Sequence, residues 1–175
     1  MNKRSLWQEF QFMLVLSFIC TLLLSGTKLA IGDRTDFTSN SIKIILDILG
    51  EKTTKDFYEY FSKKYNQISK GKIKVWQNVT NPTIFACEAT GIGMWSEIKI
   101  LFVVDKEKNQ ILGLKVTEQK ETAGIGSKIS EEEFTKQFTN MQLQKQTKVD
   151  AITGATISSK SVEKLLNKAL SKFYF

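Results

Sequence analysis

The chain begins with a long apolar stretch, the uncharged run from Phe10 to Thr27, FQFMLVLSFICTLLLSGT. A helix of this length rises roughly 27 Å, close to the ~30 Å apolar core of a bilayer. The run therefore predicts a single-pass anchor in the cytoplasmic (inner) membrane, and Lys3 and Arg4 before it set the orientation by the positive-inside rule. The N-terminus would lie in the cytoplasm and the rest on the extracytoplasmic side. A cleaved signal peptide is the alternative, but no good cleavage site follows.

Two helices are predicted after a polar linker from Ala30 to Ser41. The first helix can be capped by the serines of Ser39–Ser41 and ended by Gly50. Its apolar residues recur at helical spacing: Ile42, Ile45, Leu46 and Leu49. A second helix is predicted from about Thr54 to Ile68. Its apolar face, which we expect to pack in the core, consists of Phe57, Phe61, Tyr65 and Ile68.

Runs of apolar residues, the first of them alternating with polar residues, predict strands in the centre of the chain. The predicted strands are Lys72–Val79, Thr83–Ala89, Trp95–Val104 and Ile111–Thr117. The polar segment from Asp105 to Gln110 separates the last two strands. Two strands that flank a charged turn are typical of an antiparallel hairpin.

Helical spacing returns near the C-terminus. Ser130 and Glu133 form a capping-box pattern before a helix with Phe134 and Phe138 facing inward. The last helix is predicted from about Ser158 to Lys172. Its apolar stripe consists of Val162, Leu165, Leu166, Ala169 and Phe173. The elements together predict an α+β fold, a twisted antiparallel sheet packed by helices and preceded by one transmembrane helix.

Composition excludes several kinds of chemistry. The 175 residues include no histidine and two cysteines, Cys20 and Cys87. The chain alone therefore cannot build a Ser-His-Asp or Cys-His nucleophile, a His-ligated zinc or haem, or a four-cysteine site. The net charge is +7, but 23 of the 25 basic residues are lysines, and arginine is the usual reader of bases, so no nucleic-acid partner is expected. Redox or transfer chemistry would need an organic cofactor.

The strongest local motif is the run Asp150–Ser159, DAITGATISS. Its small residues stand just before an amphipathic helix, where they let another group approach the backbone. Unpaired N–H groups at a helix start attract anions, which suits a phosphate. Four hydroxyls would add donors: Thr153, Thr156, Ser158 and Ser159. An ordinary helix cap rich in Ser and Thr is the alternative.

Two glycine-containing segments accompany this motif. Glu121–Gly126, ETAGIG, follows a predicted strand, and its flat loop could lie against a planar ring. Gly91–Ser96, GIGMWS, opens the third predicted strand. Taken alone, the first segment also fits a simple turn, and Trp95 of the second also fits a core anchor.

In this order and spacing, the motifs resemble the membrane-anchored FMN-binding subunits of the Rnf and Na⁺-translocating NADH:quinone oxidoreductase (Nqr) complexes, RnfG and NqrC. The family pattern for flavin attachment, Asp-x-x-[Ser/Thr]-Gly-Ala-[Thr/Ser], is matched by Asp150, Thr153, Gly154, Ala155 and Thr156. The family loop Glu-Thr-Pro-Gly-Leu-Gly differs here by Ala123 for Pro and Ile125 for Leu. The resemblance covers the anchor and about residues 89–165, and it favours RnfG over NqrC.

The resemblance implies FMN joined through its phosphate to the Thr156 hydroxyl as a phosphoester. A separate Mg²⁺-dependent flavin transferase would install it from FAD and would recognise Asp150. The implied binding residues near the phosphate are Thr153, Gly154 and Ala155. Those near the isoalloxazine are Thr122, Gly124, Ile125, Trp95 and, through a hydrogen bond, Glu121.

The implied function is electron relay within an ion-translocating membrane complex, with no catalytic residue or metal ligand of the chain's own. Residues 1–29 would form the cytoplasmic N-terminus and anchor, and residues 30–175 one extracytoplasmic FMN-binding domain. The partners would be the other membrane subunits, the transferase and the membrane. Two alternatives stay open: a stand-alone tethered FMN protein serving an extracytoplasmic reductase, and an anchored, non-redox interaction module.

Overall fold

The computed structural model describes residues 3–31, 39–51, 57–69 and 71–171. The chain divides into two compact units, residues 1–38 and 39–175. The first unit contains helix α1 (Lys3–Ile31), whose large apolar side chains are exposed on every face between Trp7 and Leu22. Within the described residues, the structure has no helix with the length and apolarity needed to cross a membrane. The anchor over Phe10–Thr27 stays a prediction.

The second unit opens with helix α2 (Ser39–Ile48), as predicted. Its residues Ile42, Ile45 and Leu46 are buried, and Gly50 follows in the left-handed region at φ +70°. Helix α3 (Phe57–Lys64) is shorter than the predicted Thr54–Ile68 helix. Residues 54–56 of that prediction lie outside the described part of the chain.

The predicted helix is wrong at its C-terminal end, because residues 65–69 form strand β1 (Tyr65–Ser69). Tyr65 stays buried and its ring stacks on Phe61 at a centroid distance of 4.4 Å. The backbone meanwhile pairs with the next strand, so that Tyr65 lies opposite Asn78. Long-range strand pairing therefore overrides helical spacing here.

The strands form one antiparallel sheet in the order β1-β2-β3-β4-β5-β6. The four predicted central strands are confirmed with shifted ends. The strands after β1 are β2 (Ile73–Asn78), β3 (Ile84–Ile92), β4 (Glu97–Asp105), β5 (Gln110–Glu118) and β6 (Met141–Gln142). The predicted β4–β5 hairpin is confirmed by the pairing of Asp105 with Gln110. Strand β6 was not predicted, since two residues are too few to show alternation.

Between β5 and the C-terminal helix, the chain forms short helical turns instead of the predicted capped helix. A 3₁₀ turn (Gly126–Ser130) leads to helix α4 (Glu132–Thr135), and a second 3₁₀ turn (Lys136–Phe138) follows. The capping box at Ser130 is wrong: Glu131 is the N-cap residue, without a side-chain cap. The Ser130 hydroxyl instead donates to the Ser127 carbonyl at 2.7 Å, within the preceding turn.

Both faces of the sheet are covered. Helix α5 (Thr156–Leu170) begins two residues before the predicted start, and the predicted Phe173 lies outside the described residues. The stripe of α5 packs with Ile100 and Phe102 of β4 and with the buried Phe134 and Phe138. Helix α2 covers the opposite face: Val103 pairs with Gly113, where an added Cβ would lie 3.1 Å from Ile48. The fold class, α+β with an antiparallel sheet packed by helices, is confirmed.

Candidate functional site

One buried carboxylate joins the sequence motifs. Glu121 follows β5, is 7% exposed, and lies between the Gly91–Ser96 segment and the start of α5. Its two oxygens accept hydrogen bonds from five donors: the N–H groups of Met94 (3.2 Å), Trp95 (3.1 Å) and Ser96 (3.1 Å), the O–H of Ser96 (3.3 Å) and the O–H of Ser158 (2.6 Å). We call Glu121 with residues 94–96 and Ser158 the Glu121 corner.

Two glycines leave the space that Glu121 fills. An added Cβ at Gly93 would lie 2.5 Å from Glu121 Oε1 and 2.6 Å from Ile98 Cδ1. At Gly126, an added Cβ would lie 2.9 Å from Glu121 Cβ and 3.1 Å from Ser158 Oγ. Overpacking of this kind forces neighbouring atoms to shift. One glycine of each predicted loop, Gly93 and Gly126, is therefore required by the corner itself.

The corner stabilises a negative charge. Burial by itself raises the pKa of Glu121, but hydrogen bonds from Ser158 and from the N–H groups of residues 94–96 outweigh burial. The pKa therefore lies below the ordinary glutamate value. Glu121 is thus ionised at neutral pH. A carboxylate has about four lone-pair sites, so the five protein donors occupy the acceptor capacity that we expected Glu121 to offer the flavin.

The start of α5 is built differently. Helix α5 begins at Thr156, its N-cap is Ala155, and no side chain caps it. Thr153, Gly154 and Thr156 are exposed, and Gly154 adopts the left-handed region at φ +84°. We call residues 153–157 the Thr156 rim. The first turn of a helix presents N–H groups without helical partners, and here two exposed hydroxyls stand beside them.

The structure corrects the prediction that four hydroxyls face an anion. Ser158 and Ser159 are 2% and 0% exposed. Ser158 donates to Glu121, and Ser159 donates to the Ala155 carbonyl (2.9 Å) while it accepts from the Ile152 N–H (3.1 Å). A signal existed in the sequence: Ser158 lies four residues before Val162, and Ser159 lies seven before Leu166, so both extend the buried stripe.

Large apolar side chains stand exposed around the corner and the rim. They are Ile92, Met94, Trp95, Ile125 and Ile157. Trp95 is 71% exposed, so the core-anchor alternative is wrong. An added Cβ at Gly154 would lie 3.8 Å from Ile125, which brings the Glu121–Gly126 loop next to the rim. Exposed apolar side chains beside polar donors are typical of a site for a planar apolar ligand.

A groove of about 450 Å³ borders the other end of the attachment motif. Its lining is Lys128, Glu131, Glu133, Phe134, Gln137 and residues 150–153. Gln137 fixes the motif backbone: its Oε1 accepts the Asp150 N–H at 2.8 Å, and its Nε2 donates to the Phe134 carbonyl at 2.9 Å. Asp150 is exposed, so its side chain is accessible at the mouth of this groove.

The cysteine of the second unit, Cys87, is a core residue. Cys87 is fully buried in β3, and burial raises its pKa well above the ordinary thiol value. It is therefore an inert apolar side chain at neutral pH. Across the part of the chain that the structure describes, no group of three or more acidic or Cys side chains could hold a metal ion.

The nine predicted cofactor-binding residues lie on three neighbouring segments. Thr153, Gly154, Ala155 and Thr156 form most of the rim. Glu121, Thr122, Gly124 and Ile125 belong to the adjoining loop, where the Thr122 carbonyl accepts the N–H groups of Ile125 (3.2 Å) and Ser127 (3.0 Å). Trp95 lies on the third segment, bound to Glu121. Four residues around Glu121 were not predicted as its partners: Ser96, Ser158, Gly93 and Gly126.

The region that contains the corner and the rim is similar in sequence to known proteins. Residues 93–171 match the model of the FMN-binding domain family, a span that includes the corner and the rim. The chain is 32% identical over 92 residues to the RnfG-type subunit of the ion-translocating oxidoreductase complex of Methanosarcina acetivorans, with 49% of each chain covered. The chain thus spans about half the length of that curated relative.

A solved structure shares the fold. The crystal structure of Shewanella oneidensis NqrC matches with a TM-score of 0.58 and 17% identity, covering 74% of this chain and 92% of that chain. The NqrC protein of the Na⁺-translocating NADH-quinone reductase of Parabacteroides distasonis matches at a TM-score of 0.46 and 24% identity, over 73% and 72% of the two chains. At 17% identity, the first likeness is one of fold. The motifs' resemblance to an FMN-binding domain is confirmed over residues 93–171.

Proposed function

We propose, from this resemblance to the FMN-binding subunits RnfG and NqrC, that the chain is an electron-transfer subunit of an ion-translocating Rnf-type complex, or of the related Nqr type. It would relay electrons through FMN bound covalently to Thr156. The observation that carries the proposal is the exposed Thr156 hydroxyl at the uncapped start of α5, within the matched region. An anion bonded there would meet the positive end of the helix.

The residues present fit FMN. Gly154 and Ala155 add little bulk at the rim, so a phosphate on Thr156 can approach the N–H groups of the first turn. Trp95 and Ile125 offer exposed apolar surface to a planar ring. When bound, FMN supplies the redox chemistry, and the chain's own residues bind it and orient it.

The attachment step needs an accepting hydroxyl and no catalytic residue of this chain. The Thr156 oxygen forms a bond to the phosphorus of the FMN half of FAD, and the bond between the two phosphates of FAD breaks. AMP leaves, and the Thr156 proton passes to the transferase or to solvent. The accessible Asp150 beside the groove supports the proposed recognition by a separate Mg²⁺-dependent flavin transferase.

Membrane attachment through residues 1–29 is part of the proposal. It rests on the uncharged run Phe10–Thr27, the basic pair Lys3 and Arg4 before it, and the exposed apolar side chains of α1. It assigns the FMN domain to the extracytoplasmic side. We expect the full chain in the membrane fraction and a chain lacking residues 1–29 in the soluble fraction. Equal fractionation of the two would contradict the anchor.

Covalent attachment is tested by co-expression with a flavin transferase. The denatured chain is run on a gel under ultraviolet light, and its intact mass is measured. We expect a fluorescent band with a mass gain of FMN less one water, mapped to the Thr156 peptide. Thr156→Val should give a dark band, whereas Thr139→Val, at an exposed threonine outside the motif, should stay fluorescent.

Other outcomes would overturn parts of the proposal. A dark wild-type band with a yellow native protein would mean that FMN binds without a covalent bond. A colourless native protein would favour the non-redox interaction module. Co-purification of other membrane subunits with a fluorescent chain supports the complex, whereas a fluorescent chain that purifies alone from its native membrane favours the stand-alone FMN protein.

A further inference from the structure

We propose that Glu121 is a positioning residue for the flavin: its carboxylate holds the turn that carries Trp95 against the helix start that carries Thr156. This inference rests on the proposed function. One carboxylate oxygen accepts the N–H groups of Trp95 and Ser96, and the other accepts the Ser158 hydroxyl. The apolar surface and the attachment point, far apart in sequence, are therefore linked through the hydrogen bonds of one side chain.

The corner requires a carboxylate of glutamate length. All five partners of Glu121 are donors, and an ionised carboxylate accepts on both oxygens without presenting a hydrogen. Glutamine would direct an NH₂ group at one set of these donors. Aspartate is one methylene shorter and could not reach both the turn and Ser158 from the same backbone position.

The rest of the domain is held by other contacts. Helix α5 packs on the sheet through Val162, Leu166 and Ala169, each 0% exposed. The turn is closed by its own bond from the Gly93 N–H to the Ser96 carbonyl at 2.7 Å, beside the Ile92–Glu97 strand pair. Loss of the Glu121 charge should therefore separate the turn from the helix start while the domain stays folded.

The role is tested with E121Q in the full chain, both free of flavin and loaded by a transferase. Without flavin, amide hydrogen exchange at Met94, Trp95 and Ser96 should become about ten- to a hundredfold faster, because these N–H groups lose a charged acceptor. With flavin, the mass gain at Thr156 should be unchanged. The visible circular dichroism and the fluorescence anisotropy of the flavin should fall, because the ring loses its fixed surroundings.

Two further variants separate positioning from folding. E118Q is the matched control, because Glu118 lies three residues earlier and pairs with Lys99 at the exposed end of β5; it should change neither the exchange nor the flavin signals. Ser158→Ala removes only the helix side of the corner. We expect it to keep the slow exchange of residues 94–96 but to reduce the flavin anisotropy.

Several results would overturn the inference. One is an E121Q chain with the same amide exchange and flavin dichroism as the wild type. Another is a folded E121Q chain that receives no FMN, since Glu121 would then act in attachment. Should E121Q fail to fold, unchanged anisotropy in Ser158→Ala would overturn the inference equally. A wild-type chain that takes no flavin overturns the proposed function together with the positioning role, whereas a loaded wild-type chain with unchanged variants overturns the positioning role alone.

Discussion

The Glu121 corner and the Thr156 rim lie at the same helix start, yet they are built in opposite ways. Glu121 is buried, charged and bonded to five donors. Thr156 is exposed on a helix that no side chain caps. The polar groups of the corner therefore form their hydrogen bonds within the protein, whereas the hydroxyl and N–H groups of the rim are accessible to a ligand. This contrast separates residues that hold the site from residues that can react.

Residue type alone does not decide which role a hydroxyl takes. Ser158 and Ser159 follow Thr156 within one helical turn, and all three carry a hydroxyl. Helix phase directs the two serines to the buried stripe and leaves the threonine outside. The number of Ser and Thr residues in the motif thus overstates the donors that an anion would meet at the rim.

The largest expected effect is on the rim. Thr156→Val should abolish covalent FMN completely, because valine offers no oxygen for the phosphoester. The free energy of unfolding should change by less than about 0.5 kcal/mol, since the side chain is exposed. Intact mass and urea unfolding measure the two quantities. A clear decrease in the free energy of unfolding of Thr156→Val would contradict the contrast, because Thr156 would then also stabilise the fold.

The opposite result is expected in the corner. Gly126→Ala should lower the free energy of unfolding by about 1–3 kcal/mol, because its Cβ would press on Glu121 and Ser158. The folded fraction should still receive FMN at Thr156. Urea unfolding gives the stability, and the mass of the soluble chain gives the attachment.

Gly124→Asn is the control for that variant. Gly124 has φ +72° and nothing within 4 Å of an added Cβ, and asparagine tolerates the left-handed region better than other residues. The decrease in the free energy of unfolding should therefore be smaller than for Gly126→Ala. A cost at Gly126 no larger than at Gly124 would mean that the space for Glu121 does not explain why Gly126 is a glycine.

Much of the fold is predictable from local pattern, because the elements concerned are long and regular. Strands β2 to β5 are runs rich in apolar residues, and α5 carries an apolar stripe. The segment after α3 shows where local pattern fails. Tyr65 and Ile68 continue the helical spacing of Phe57 and Phe61, but pairing with β2 decides the structure.

The site was predictable to a different degree. The segments were singled out by their glycines and hydroxyls, and Thr156 was proposed from the attachment pattern. The corner could not be found, because the bonds to Glu121 come from residues 25 to 37 positions away. Sequence spacing carries no signal for contacts at that separation, so the only role expected of Glu121 was a hydrogen bond near the flavin.

A smaller effect is expected from the bonds that fix the loop before Thr156. Ser159→Ala removes the link between the Ala155 carbonyl and the Ile152 N–H. It should cost about 1 kcal/mol of stability and slow flavin transfer, because the loop before Thr156 would be less well fixed. The measurement is the rate of FMN incorporation at a fixed transferase concentration. An unchanged rate in the alanine variant would show that Ser159 has no part in presenting Thr156.

The smallest expected effect is on how the stability depends on pH, and it tests whether Glu121 acts through its charge. The folded-state pKa of Glu121 lies below the ordinary value. Its contribution to the free energy of unfolding is therefore complete above the ordinary glutamate pKa of about 4.3. The contribution is lost as the pH falls through the lowered folded-state pKa, because the native carboxylate must then take up a proton. Glu163 acts in the same direction. Burial alone would raise its pKa, but hydrogen bonds from Lys160 and from the Val149 N–H lower it.

The wild type should therefore lose stability on acidification more steeply than E121Q. Urea unfolding at a series of pH values from about 7 to about 3 measures both slopes. E121Q should be less stable than the wild type at neutral pH, and the gap should narrow in acid, because both chains then carry an uncharged side chain in the corner. Glu118→Gln, at the exposed end of β5, should leave the wild-type slope nearly unchanged. Parallel curves for the wild type and E121Q would mean that the corner holds its turn through shape and not through charge.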